Sequence, residues 1–298
     1  MTIPNHPVFS EFLPFSGKVA SGYLSDFIGS QMNERYESWK GYDQDEFITS
    51  PMPRRDDDYF EWISLLEAVK EAKDSFVFVE LGAGYGRWSA RAFKAAQQRK
   101  IPSISCILVE AEPVHARWAF EHMTYNGASD FRILQCAVGA TRSKAMFVVE
   151  NHKSEAPNDP QHWYGQSLNW TDASHHRSTE TTYEGRPVIA NGDGWGAIEV
   201  DVVTLDDVIG SHTFIDCINI DIQGAELDVI RGGRDALRKV RRLYIGTHNH
   251  EVEEGLRCEM RGIGWQCVYD YPCLSTVETE FGPIVFGDGA QSWTNPRL

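Results

Sequence analysis

Basic residues are scarce in this 298-residue chain. Lys and Arg total 28 against 43 Asp and Glu, a formal net charge of −15. A polyanion such as DNA or RNA is repelled by such a chain unless a local basic face dominates, which weighs against a nucleic-acid substrate. Long apolar runs are also missing: no segment is long enough to span a bilayer, and the start MTIPNHPVFSEF has neither the basic opening nor the apolar stretch of a secretory signal. The expectation is a cytoplasmic protein with no membrane contact. Six cysteines, Cys106, Cys136, Cys217, Cys258, Cys267 and Cys273, form no CxxC pair and no knuckle spacing. They read as reduced, structural thiols rather than as disulfides or a zinc ribbon. Internal repeats and low-complexity tracts are absent too.

What is present is an alternation of strands and helices. Residues 1–58 show little sustained period and read as irregular structure with short helices, an N-terminal extension able to act as a lid or substrate contact. From Asp58, a candidate N-cap, apolar residues at Tyr59, Trp62, Ile63, Leu66 and Val69 have helical spacing. Apolar strands follow in FVFVEL, ISCILVE, FRILQCAV, FIDCINIDI and RRLYIGTH, separated by helical stretches. Strands apolar almost throughout predict a parallel sheet covered on both faces. AELDVIRGGRDALRKV reads as one helix, its basic end RDALRKVRR as a solvated, dipole-complementing face. WQCVYDY and PIVFG read as a hairpin-like edge. Residues 151–197 are polar, with three prolines and a GDGWG turn, and read as a long insertion: a binding loop or lid, or else a disordered segment. The rest, residues 59–298, reads as one domain.

The first strand runs into Gly82-x-Gly84-x-Gly86. A glycine turn between a parallel strand and a helix lets backbone approach a ligand where the helix dipole favours anions. Arg87 stands where a dinucleotide fingerprint needs a third small residue, which disfavours a nicotinamide-dependent oxidoreductase. Glu80 precedes the turn, and Glu110 and Glu112 end the second strand, Glu112 being the better placed to accept hydrogen bonds from ribose hydroxyls. A ligand with adenosine but no pyrophosphate, S-adenosylmethionine, fits this set, its sulfonium suited to an acidic pocket containing Glu80.

INIDIQGAELDVIRGG then supplies a more specific string: an Asp ending a strand, a QGAE turn and a helix closing on Gly-Gly. With VELGAGYG, VEAEPVHARW, CAVGA and VDVVTLDDVI in order, residues 76–270 resemble the FkbM family of S-adenosylmethionine-dependent methyltransferases. The resemblance implies a class I methyltransferase (Rossmann-like) α/β fold with a seven-stranded, mostly parallel sheet. It also implies O-methylation of a small molecule, a sugar or secondary metabolite. Carried over by position, Glu80, Gly82, Ala83, Gly84, Gly86, Glu112 and Gln135, Cys136 and Ala137 bind the cofactor, and Asp221 lies beside the methyl group. The chain departs from the family pattern at Asn219, where Lys is common, and at Gly246, where an acid is common. Both departures weigh against a family-typical ion pair or metal site, and they keep open a binding protein without turnover.

Ligands of open parallel sheets bind beyond the carboxyl ends of the strands. That rim holds Asp221, Gln223, His248, Asn249 and His250. His248 is the expected general base, because imidazole titrates near neutral pH, with Asp221 orienting the acceptor or itself acting as base. Asp221, Glu226, His248 and His250 also form a donor set that a divalent cation such as Mg2+ could use. Substrate choice is expected to lie with residues 1–58 and 151–197, whose Trp163, Tyr164, Trp170 and Trp195 either stack on sugar or aromatic faces or pack a lid together.

Overall fold

The computed structural model describes residues 3–37, 39–151, 164–168, 177–190 and 195–298. Its centre is a seven-stranded sheet of β1 (Ser75–Leu81), β2 (Ser103–Val109), β3 (Phe131–Leu134), β4 (Ile215–Ile220), β5 (Val240–Thr247), β6 (Gln266–Tyr271) and β7 (Gly289–Thr294), in the spatial order β6-β7-β5-β4-β1-β2-β3. Strands β1 to β5 pair in parallel, and β7 runs antiparallel between β5 and β6. Helices α1 (Tyr59–Glu71), α2 (Arg87–Gln98), α3 (Pro113–Tyr125), α4 (Leu205–Ile209), α5 (Glu226–Gly232) and α6 (His250–Gly262) accompany it.

The two-residue period of the strands sorts their side chains into two cores. Phe76 and Phe78 of β1, with Cys106 and Leu108 of β2, enter a cluster with α1, α2 and the N-terminal segment; Val79, Leu81, Ile107 and Val109 enter the opposite one with α4, α5 and α6. The same alternation puts Glu80 on the α1 and α2 side, where it is the direct register partner of Asn219. The expected helix from Tyr59 is present, with every apolar position named for it in the core. Phe60 is fully buried against Tyr269 and Tyr271, with ring centroids 4.7 and 4.4 Å away. Phe60→Ala is expected to lower the unfolding free energy by about 3–5 kcal/mol, seen in urea denaturation as a lower midpoint at unchanged slope.

Several expectations need correction. Asp58 stands at the N-cap of α1 but makes no side-chain cap; its carboxylate pairs with Arg87 and lies 3.7 Å from Arg91. The third strand stops at Leu134, and Ala137–Val138 leaves it to pair with Val202 and Val203 in a second, five-stranded sheet. That sheet also contains Ser143–Asn151, Arg177–Tyr183, Arg186–Ala190 and Trp195–Val203, so the insertion is largely β-structure where it is described, around Phe147, Val149, Val188, Ile198 and Val200. Trp163, Trp170 and most of the GDGWG turn lie outside the described residues.

Residues 3–58 contain two short two-stranded sheets and two 3-10 helices, and their Val8, Phe9, Phe12, Phe27 and Ile28 enter the same core as α1. The long helix after Asp221 is interrupted: α5 ends at Gly232, where a Cβ would press on the Ala140 backbone, and a 3-10 turn (Ala236–Lys239) follows. The basic run is not simply solvated. Arg241 pairs with Asp216 at 2.8 Å, and Arg242 with Glu71, tying β5 to α1 and β4. Finally, PIVFG pairs with Ser275–Thr279, not with WQCVYDY; the partner of that strand is β7.

Candidate active site

The strand ends finish level with one another. Leu81, Val109 and Ile220 are the last strand residues, and the residues after them are stitched together: Gly82 and Ala83 donate to the Val109 carbonyl at 3.0 and 2.9 Å, and Asp221 donates to the Leu81 carbonyl at 2.9 Å. A Cβ on Gly82, whose φ is +79°, would overlap the Asp221 carbonyl oxygen. Glycine is therefore required there for the turn to lie against the tip of β4.

Beyond these tips opens a cleft of about 380 Å³, lined among others by Glu80, Gly82, Ala83, Gly84, Glu110, Cys136, Ala137 and Asp221. Its volume falls in the range of small-molecule sites. Of the residues expected to hold a cofactor, Gly86, Glu112 and Gln135 do not line it. Gly86 works as a spacer: with φ +76° it opens α2, and a Cβ there would stand 2.8 Å from Leu108. Gln135 is exposed. Glu112 is fully buried at the N-cap of α3, its carboxylate accepting from the His115 N–H at 2.6 Å. The signal for that role was in the sequence, since an acid directly before a proline is the pattern of an N-cap with Pro at the first helical position.

Glu110 is the acid that faces the cleft. One of its oxygens accepts from Gly84 N–H at 2.6 Å and the other from Glu112 N–H at 2.8 Å. Burial pushes its pKa up to about 8, against the pull of those backbone donors. Glu80 is likewise raised by burial, to about 7, while accepting from Trp88 and Ser89 N–H at 3.0 and 2.8 Å. It anchors the first turn of α2. For a carboxyl whose folded pKa exceeds its unfolded value of 4.5, the stabilisation is complete below 4.5 and is lost as pH rises through the folded pKa. Wild type is thus expected to lose stability relative to Glu110→Gln between pH 4.5 and about 8, measured by urea denaturation of both proteins across that range.

At the other end of the cleft stands Asp221, its side chain half exposed. His248 lies behind it, not on the cleft surface, with Nε2 3.1 Å from Asp221 and Nδ1 2.8 Å from the fully buried Glu226. Burial would lower the imidazole pKa, but hydrogen bonding to Asp221 and Glu226 outweighs it and carries the value up to about 10. With both nitrogens facing carboxylates, the ring has no free lone pair to offer an acceptor. Of the donor set expected for a divalent cation, Asp221, Glu226 and His248 meet at the imidazole ring while His250 turns away to Glu253; Asn249, also on the rim, caps α6 by accepting from Val252 N–H at 2.8 Å.

Two residues at the cleft, Glu61 and Trp39, were not named from the sequence, whereas Tyr164 was expected there. Glu61 of α1, buried and raised well above the ordinary carboxyl range by that burial, accepts from the Asn219 amide, which lines the cleft where the family often carries Lys. Trp39 lines the mouth, half exposed, over the Arg87 guanidinium at 5.7 Å. Tyr164 stacks on His115 at 4.5 Å and hydrogen-bonds the Tyr36 carbonyl, bringing the insertion against the N-terminal segment. Trp195 opens a strand and is not part of the lining.

A parallel sheet with one antiparallel strand in this order, and a glycine turn on its central strand, defines a Rossmann-like methyltransferase domain. The model of the methyltransferase FkbM domain matches residues 80–270, and the chain belongs to that family. A protein from Jannaschia sp. (strain CCS1), provisionally named a methyltransferase, is 28% identical over 244 residues, covering 81% of this chain and 80% of its own. The crystal structure of methyltransferase FkbM from Methylobacillus flagellatus KT is 16% identical with a TM-score of 0.44, over 76% of this chain and 44% of that one. This chain therefore spans less than half of that structure's length. TrmK of M. capricolum, solved with S-adenosyl-homocysteine, is 9% identical with a TM-score of 0.39, over 78% of this chain and 67% of its own. At such scores neither structural likeness bears on chemistry or substrate.

Proposed function

We propose that this methyltransferase uses S-adenosylmethionine to methylate an oxygen atom of a small molecule. The observation that carries the reading is the convergence of the Gly82–Gly84 turn, Glu110 and Asp221 on one cleft. The donor set suits the cofactor. Glu110 offers carboxyl oxygens to ribose hydroxyls, in place of Glu112; Cys136 and Ala137 line the same cleft, and the turn admits close backbone approach because Gly84 carries no side chain. When bound, the cofactor supplies a methyl group on a positively charged sulfur.

The rest is done by this chain's own groups. Asp221 accepts the proton of the acceptor hydroxyl or holds that hydroxyl in line. His248 acts as a positioning residue, fixed on its far side by Glu226 and holding the Asp221 carboxylate toward the cleft. Trp39 and Tyr164 give the acceptor aromatic faces. The acidic net charge supports a neutral or cationic small acceptor over a nucleic acid.

The experiment is a screen for acceptor-dependent release of S-adenosylhomocysteine over sugars and phenolic or hydroxylated metabolites. Within that assay, His248→Gln is expected to lower kcat by about tenfold with KM for the cofactor little changed. An equal loss in cofactor affinity would remove the positioning role.

A further inference from the structure

Among the described residues, a second cluster of chemistry-bearing side chains lies outside the cleft, at the far side of the β5–α6 turn. His250 and Glu253 stand three residues apart in the first turn of α6, and Cys273 faces them from the loop after β6. None of the three lines the cleft. The His250 Nδ1 lies 3.0 Å from Glu253 Oε2 and 3.7 Å from Cys273 Sγ, and one ligand atom from each residue falls within 4.8 Å of the others.

Those separations are the edges of a coordination polyhedron. With Zn–N of about 2.0–2.1 Å and Zn–S of about 2.3 Å, a tetrahedral site sets its ligand atoms about 3.3–3.7 Å apart. The carboxylate is already aimed. Its Oε1 accepts from the Cys273 N–H at 2.6 Å and the Thr247 hydroxyl at 3.0 Å, which leaves Oε2 directed at the imidazole. Such outer hydrogen bonds are what orient a ligating carboxylate. Gly289 keeps the space open, since a Cβ there would stand 2.5 Å from Glu253 Oε1 and 2.7 Å from Cys273 N. Glu253 and Cys273 are buried, while the His250 side chain is 70% exposed and gives a metal its way in. The Arg257 guanidinium, 3.8 Å from Oε2, opposes a cation.

We infer that His250, Glu253 and Cys273 form a structural binding site for a zinc-class divalent cation, with water as the fourth ligand. The donor set of imidazole, carboxylate and thiolate selects zinc or cobalt over magnesium or calcium. On binding, the Cys273 thiol releases its proton to solvent, and His250 coordinates as neutral imidazole through Nδ1. The bound ion ties the start of α6 to the loop after β6, two residues from His248, and so braces the rim behind Asp221. This site does not depend on the proposed acceptor chemistry.

The test is titration of the chelator-stripped, reduced, full-length protein with Co2+ alone. A thiolate-to-cobalt charge-transfer band saturating at one ion per chain is expected, bleached by added Zn2+. Cys273→Ser is expected to abolish the band, and His250→Ala, a change on an exposed side chain, to weaken Co2+ binding by more than about tenfold. Cys258→Ser, which removes the exposed cysteine elsewhere, is expected to leave it intact. Zn2+ should raise the melting temperature of wild type but not of His250→Ala. Absence of the band in wild type, its persistence in Cys273→Ser or its loss in Cys258→Ser would overturn the assignment and leave a hydrogen-bonded cluster only.

Discussion

Asp221→Asn is expected to lower turnover by about 10²–10⁴-fold while S-adenosylhomocysteine affinity changes by less than about threefold. The substitution keeps the shape of the side chain but removes the negative charge that faces both the cleft and His248. An amide neither takes a proton from a hydroxyl nor holds the ion pair that Asp221 makes at 3.1 Å. Because Asp221 is half exposed and its backbone N–H bonds the Leu81 carbonyl whatever the side chain, the fold should tolerate the change. Steady-state rates of acceptor-dependent S-adenosylhomocysteine formation, with calorimetric binding of the product, separate the two effects. A variant within about threefold of wild-type turnover would show that the acceptor proton leaves by another route.

Gly82→Ala has the second large effect, and it falls on the fold before the chemistry. The residue has φ +79°, and its added methyl would enter the Asp221 carbonyl oxygen, so alanine meets both left-handed strain and a backbone clash. Together these should destabilise the protein by about 2–5 kcal/mol, and any folded fraction should show the turn pushed off the tip of β4 and a weaker cofactor site. Gly127 offers the control. It has φ +83°, but an added methyl there would meet nothing within 4 Å. Gly127→Ala should therefore lose only the strain, about 1–2 kcal/mol. Urea denaturation of the pair isolates the packing contribution. Equal losses would mean that the strand tips separate freely to admit a side chain.

The central sheet was legible where burial is two-sided. Strands β1, β2, β4 and β5 are nearly unbroken apolar runs, and the glycine turn is marked by the conformational need for glycine. Strand β7 was missed because its sequence, GAQSWT, is polar at its centre. Its Gln291 and Ser292 are buried with partners supplied from afar: the Gln291 amide donates to the Glu253 carbonyl at 3.2 Å, and Ser292 accepts from Ser64 at 2.8 Å. Hydropathy cannot see polar residues that are satisfied by distant partners. The strands of the insertion did not stand out for a related reason: Arg177–Tyr183 pairs with Arg186–Ala190, which pairs in turn with Trp195–Val203, and the first two are short, with no period long enough to be seen.

At the site, position along the chain and direction of the side chain parted company. Glu110 and Glu112 are two residues apart; the first faces the cleft and the second turns back into the start of α3. His248 looked like a base while its neighbours were unknown. Glu226, 22 residues away in sequence, faces its Nδ1, which supports the positioning role proposed for it. Trp39 reaches the site from a segment with no periodic signature, and Glu61 sits on a helix whose period marks only its apolar residues. Tertiary packing alone reveals both.

The most direct measurement is calorimetric titration of the purified protein with S-adenosylmethionine and S-adenosylhomocysteine, without added metal. Micromolar binding of one molecule per chain, sharply weakened in Glu110→Ala and little changed in Glu112→Ala, is the predicted result. No binding of either ligand, or binding that is indifferent to Glu110, would contradict the assignment of the glycine-turn cleft as the cofactor site.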